Sequence, residues 1–81
     1  MIEIYGTSAC QYCKEAQMLC IARNKDFKYK QVDVDIDALD ELEERLGKRV
    51  RQVPQIFMDG AYVGGYTELK EKLNVTDTGA S

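Results

Sequence analysis

Ile2-Glu3-Ile4-Tyr5 alternates apolar and polar positions and is closed by Gly6, a period-two pattern that predicts a short strand. Thr7-Ser8-Ala9 follows as a small polar loop. From about Tyr12 to Arg23 the period becomes helical, with Ala16, Leu19, Cys20 and Arg23 at i, i+3, i+4 and i+7. Asn24-Lys25-Asp26 breaks that helix, and Phe27, Tyr29, Val32 and Val34 predict a second strand over 27–34. Leu39, Leu42 and Leu46 form the stripe of a second helix, with Asp37 as its expected N-cap and Gly47 as its stop. Ile56-Phe57-Met58, Asp59-Gly60 and Tyr62-Val63 predict a hairpin on a type I′ turn, which Asp-Gly suits because both central residues take positive φ. Gly64-Gly65 ends the hairpin, and a third helix is expected over 67–73 with Leu69 and Leu73 inward.

The predicted order is β-α-β-α-β-β-α, an α/β class. Its first three elements form a βαβ unit, which implies a parallel strand pair and a right-handed crossover. The hairpin adds antiparallel strands, so the expectation is a four-stranded mixed sheet covered by three helices. One domain over 1–73 is expected, with 74–81 a small, polar and flexible tail.

Composition narrows the chemistry. The chain has 81 residues, 44% hydrophobic and 31% charged, enough for one small core. Eleven Lys+Arg against 14 Asp+Glu give a net charge of −3, and the pI near 4.8 argues against nucleic-acid binding. The longest apolar run, Met18 to Ala22, is far short of a membrane span. The first residues lack the basic and apolar regions of a signal peptide. A cytoplasmic location is therefore expected, the host cytoplasm for a viral chain, with thiols reduced by default. Zero His removes Ser-His and Cys-His nucleophile pairs and His metal ligands. Charge is segmental: seven acids between Asp33 and Glu44, then Arg45, Lys48, Arg49 and Arg51. Most of these residues are expected to solvate a helix with dipole-matched ends.

The chemistry sits in Cys10-Gln11-Tyr12-Cys13, where the loop after the first strand enters the first helix. A thiol at a helix N-terminus faces unpaired N–H groups and the positive dipole end, and both favour thiolate. Thiolate is the attacking species in disulfide exchange. Cys10 would be exposed and activated, and Cys13, one turn in, more buried and placed to attack a mixed disulfide on Cys10. A tetrahedral zinc site needs four ligands, and the chain has only Cys20 in reserve, so no metal is expected. Cys20 lies about 10 Å along the helix from Cys13, beyond disulfide reach. It is expected to be a small buried apolar group.

Cys10-Gln11-Tyr12-Cys13, Gly47-Lys48, Val53-Pro54-Gln55-Ile56-Phe57, Asp59-Gly60 and Gly64-Gly65-Tyr66-Thr67-Glu68, in this order and spacing, resemble a glutaredoxin. The nearest likeness is to the small dithiol glutaredoxins of bacteria and bacteriophages. The resemblance implies a thioredoxin-like fold, a cis Pro54, a redox-active disulfide between Cys10 and Cys13, and glutathione as cosubstrate. It implies that the Val53 backbone pairs with the cysteinyl unit of glutathione. The γ-glutamyl carboxylate would meet the N–H groups of Tyr66, Thr67 and Glu68 beside Gly65, with Glu68 facing the ammonium. Tyr12 would line the groove, and Arg51 and Gln52 would meet the glycyl carboxylate.

Two positions depart from the family pattern. Gln11 replaces the usual Pro, and some glutaredoxins without it hold a [2Fe–2S] cluster between two protomers through the residue matching Cys10 and glutathione. Thr7 stands where relatives often carry Lys or Arg; the resemblance still implies that Thr7 borders the glutathione site, without the charged contact. The implied function is a glutathione-dependent thiol–disulfide oxidoreductase that reduces protein disulfides and glutathionylated proteins, as a monomer without nucleic-acid or membrane partners. Ribonucleotide reductase is a partner by family analogy. The alternatives are a [2Fe–2S] carrier or sensor and a glutaredoxin-like donor recycled by thioredoxin reductase.

Overall fold

The structure is a computed structural model that describes the backbone of residues 1–80 and the side chains of residues 1–73. Its elements are β1 (Ile2–Gly6), α1 (Gln11–Ala22), β2 (Phe27–Gln31), α2 (Ile36–Leu46), β3 (Gln55–Met58), β4 (Ala61–Gly64) and α3 (Tyr66–Ala80). The sheet order is β2-β1-β3-β4. β1 runs parallel to β2, with Ile2 opposite Phe27 and Gly6 opposite Gln31. β1 is antiparallel to β3, and β3 to β4. The expected four-stranded mixed sheet and βαβ unit are both present.

Strand alternation sorts the core into two layers. Ile2, Ile4 and Ile56 face one side of the sheet and pack with Ala16 and Cys20 of α1 and Leu69 and Leu73 of α3. Tyr5 and Phe57, one residue out of phase, face the other side and pack against Leu42 of α2. The hairpin turns at Asp59 (φ 52°) and Gly60 (φ 85°), both positive as a type I′ turn requires.

Boundaries shift where a strand loses its partner or a cap has a rival. β2 ends at Gln31 rather than Val34, because β1 stops at Gly6 and offers only one more acceptor, its carbonyl, to Val32 N–H at 2.8 Å. The N-cap of α2 is Asp35, not Asp37: its carboxylate accepts from Asp37 and Ala38 N–H at 3.1 and 3.2 Å. That start leaves Ile36 exposed and buries Ala38 with Leu42, while Leu39 is only half-buried. Gly47 closes α2 in the left-handed region, as expected. The backbone of α3 runs on to Ala80, past the expected end at 73. The expected tail over 74–81 otherwise lies outside the described residues.

Candidate functional site

α1 begins with a sulfur cap. Cys10 is its N-cap residue, in extended conformation, and its Sγ accepts a hydrogen bond from the Cys13 N–H at 3.1 Å. No acidic side chain occupies the first turn, so that sulfur is the side-chain acceptor set against the positive dipole end. Cys10 and Cys13 are joined as a disulfide, with Cα atoms 5.2 Å apart. Cys13 is fully buried and Cys10 half-buried, the gradation expected of a resolving and an attacking thiol. Cys20 is a free, fully buried thiol whose pKa burial pushes above the ordinary 9.0.

Beside the disulfide the chain turns through a cis Val53–Pro54 bond. The Val53 carbonyl oxygen lies 3.9 Å from Cys10 Sγ. From there an open groove of about 480 Å³ runs along the N-terminus of α3. Of the ten residues expected to contact a ligand, Tyr12, Gln52, Val53, Pro54, Gly65, Tyr66, Thr67 and Glu68 line it. Thr7 and Arg51 do not. The Thr7 carbonyl accepts from the Tyr29 hydroxyl at 2.6 Å, and Arg51 is exposed.

The groove walls follow from local sequence. Tyr12 and Tyr66 stack with ring centroids 5.8 Å apart. Gly65 is the N-cap of α3: its carbonyl takes the first helical bond, from Leu69 N–H at 3.0 Å. The N–H groups of Tyr66, Thr67 and Glu68 precede that bond and have no helical acceptor. Glu68, three residues past the cap, bends back so that its Oε1 accepts from Gly65 N–H at 2.6 Å, half of a capping box. This carboxylate, expected to face only a ligand, thus also fixes the helix entry.

Gln55, Tyr62, Val63 and Gly64 also line the groove and were not expected to. They lie on the hairpin strands, and the Tyr62 hydroxyl donates to Gln55 Oε1 at 2.5 Å while Gln55 Nε2 donates to the Gln52 carbonyl at 2.9 Å. The one signal for them was the hairpin itself, which returns β4 beside Pro54. On the other side, Asp33 holds the loop before Cys10 by accepting from Ser8 Oγ at 2.8 Å and Ser8 N–H at 3.2 Å. Those bonds keep its carboxyl below the ordinary 3.8. Among the described residues no three His, Cys, Asp or Glu side chains converge as a metal site, and no helix is long and apolar enough to cross a membrane.

A thioredoxin-like sheet with a Cys-x-x-Cys pair capping its first helix beside a cis-proline defines a thiol–disulfide oxidoreductase. The fold aligns with the solution structure of reduced Escherichia coli glutaredoxin at a TM-score of 0.78 and 28% identity, over 95% of this chain and 96% of that one. It aligns with Francisella tularensis glutaredoxin 1, solved with cacodylate, at a TM-score of 0.74 and 26% identity over 95% of each. In sequence the chain is 38% identical over 80 residues to glutaredoxin 1 of E. coli strain K12, covering 88% of this chain and 94% of that protein. It is 36% identical over 85 residues to a Vibrio cholerae glutaredoxin, covering 94% and 98%. The glutaredoxin family model matches residues 2–63, and the chain belongs to the glutaredoxin family.

Proposed function

We propose that the protein is a glutathione-dependent dithiol oxidoreductase of the cytoplasm, acting on protein disulfides and on glutathionylated proteins. The observation that carries this is the Cys10 sulfur, held as the cap of α1 at the edge of a groove that ends on the free N–H groups of α3. A groove of about 480 Å³ suits a tripeptide, and the N-terminus of α3 suits its γ-glutamyl carboxylate. The Val53 backbone is the rung on which the cysteinyl unit would pair, and Tyr12 and Tyr66 form an aromatic wall beside it.

The chemistry runs in balanced steps. Cys10 thiolate attacks a substrate disulfide; the Cys10–substrate bond forms, the substrate S–S bond breaks, and the leaving thiolate takes a proton. Cys13 thiolate then attacks Cys10 Sγ, closing the Cys10–Cys13 disulfide and releasing the second substrate thiol. Two glutathione molecules restore the dithiol: one forms a Cys10–glutathione adduct, and the other removes it as glutathione disulfide. Ribonucleotide reductase fits this reading as one disulfide-bearing substrate.

A [2Fe–2S] cluster takes four protein or glutathione ligands. Here the two sulfurs at the groove are bonded to each other, and Cys20 is sealed in the core. A cluster would need Cys10 as the free thiolate, a second protomer and two glutathione thiolates held together, and the dithiol cycle above passes through no such assembly. A donor recycled by thioredoxin reductase would leave the α3 end of the groove without a ligand.

The test is disulfide reduction coupled to glutathione and glutathione reductase, run beside thioredoxin reductase. Turnover with glutathione, its loss in Cys10→Ser and retention of deglutathionylation in Cys13→Ser are expected. Turnover with thioredoxin reductase alone, or full activity in Cys10→Ser, would overturn the reading.

A further inference from the structure

Cys13 is fully buried, and among the described residues no charged side chain is buried in the core. While the disulfide stands, that sulfur needs no polar partner. Once the disulfide opens, Cys13 carries a buried S–H or S⁻, and a buried polar group without a hydrogen bond is costly. One polar side chain reaches this place. A Cβ on Gly6 would stand 2.5 Å from the Tyr29 hydroxyl oxygen and 2.6 Å from Cys13 Sγ. The two atoms therefore lie no further apart than those distances together, both in the space that the missing Cβ of Gly6 leaves open.

From this geometry we propose that Tyr29 is a positioning residue for the resolving cysteine, its hydroxyl being the hydrogen-bond partner of the Cys13 sulfur released on reduction. The inference rests on the dithiol exchange proposed above and deepens it.

In the disulfide form the phenol proton points to the Thr7 carbonyl, 2.6 Å away, which leaves both oxygen lone pairs free to accept. In the reduced form the Cys13 S–H donates to one of them. When Cys13 loses its proton to solvent and attacks Cys10, the phenol turns its own proton from Thr7 to the thiolate. No net proton stays on Tyr29: the Cys10–Cys13 bond forms, the Cys10–substrate bond breaks, and the departing thiolate is protonated from water. The phenol stays protonated throughout, because burial and then the charge of Asp33 push its pKa above the ordinary 10.0. Asp33 itself is engaged by Ser8. Loop, phenol and thiol thus meet at one oxygen.

The test is Tyr29→Phe, which keeps the ring and removes the oxygen. Equilibration with dithiothreitol reads the Cys10–Cys13 couple without glutathione or substrate, so it stands whatever the natural reductant is. Loss of a hydrogen bond made only in the reduced state is expected to shift that equilibrium roughly three- to tenfold toward the disulfide. Reduction of a protein disulfide by the dithiol route should slow by a similar factor. In a Cys13→Ser background the contact has lost its sulfur, and Tyr29→Phe should then change deglutathionylation by less than about twofold. An unchanged dithiothreitol equilibrium overturns the proposal. So does equal slowing in the Cys13→Ser background, which would make Tyr29 an anchor of the Thr7 loop alone. A second measurement leaves Tyr29 in place: in Cys10→Ser/Cys20→Ala the single S–H stretch, that of Cys13, should lie below the free-thiol band. A band at the free-thiol position overturns the proposal.

Discussion

Gly6 shows how one missing methyl sets the site. It is buried at the end of β1, where a Cβ would press within 2.6 Å of both the Tyr29 hydroxyl and Cys13 Sγ. Gly6→Ala must displace both of them, so it should destabilise the oxidised protein by about 1–3 kcal/mol, the usual cost of overpacking. For a domain this small each kcal/mol is roughly 4–8 °C in Tm, which thermal unfolding will resolve. Other residues were easier to place. The Cys10–Cys13 gradation followed from the helix register alone, since an N-cap residue projects outward and the residue one turn on faces the sheet. Thr7 and Arg51 did not follow. Their expected roles came from position relative to a motif, and neither residue is among those that line the groove.

At the scale of elements, α2 is fastened to the sheet by a half-buried charged cluster. The Tyr5 hydroxyl bonds Glu41 Oε1 and accepts from Arg45 Nη1 at 2.8 Å. Lys30 of β2 reaches Glu41 at 2.7 Å, Arg45 reaches Glu3 at 3.1 Å, and the Arg45 guanidinium lies 3.9 Å above the Phe57 ring. The Lys30 hydrogen bond, then that of Tyr5, holds Glu41 below the ordinary 4.5. Glu41 therefore contributes stability above the unfolded carboxylate pKa, and loses it as pH falls through its lower folded value. Lys30, raised above 10.5 by its bond to Glu41, and Tyr5, raised above 10.0 by burial and then Glu41, have the opposite sign. Their contributions stand below those values and fade as pH rises through the folded ones. Urea midpoints measured against pH should show wild type falling more steeply than Glu41→Gln on the acid limb, with the two curves converging. No sequence period shows this cluster, because its members come from β1, β2 and α2 and meet only when the sheet is assembled. The Asp35 cap was not legible: Asp37, two residues on, was the expected cap, and the register that starts at Ile36 is the one that buries the small Ala38 with Leu42.

For the molecule as a whole, α1 joins the chemistry to the core. Its first residues carry the disulfide, and its inner face carries Ala16 and Cys20 against Ile4, Ile56 and Leu69. The body of that helix, beyond its first turn, cannot lift without opening the layer between sheet and helices. Cys20 reports on that layer: it is fully buried, its pKa is pushed up by burial, and it forms no disulfide. In the reduced protein the three thiols should alkylate in a graded order. Cys10 reacts first as a half-exposed thiol at a helix N-terminus, and Cys13 follows by fraying of the first turn of α1. Cys20 waits for the whole layer to open, so its rate should rise with urea along the slope of global unfolding. Mass spectrometry of time-quenched samples separates the three. Cys20 reacting as fast as Cys10 in water would show that α1 lifts from the sheet by itself. If it keeps the global slope, the body of α1 parts from the sheet only when the core is lost, and the seat of the active thiol persists for as long as the fold does.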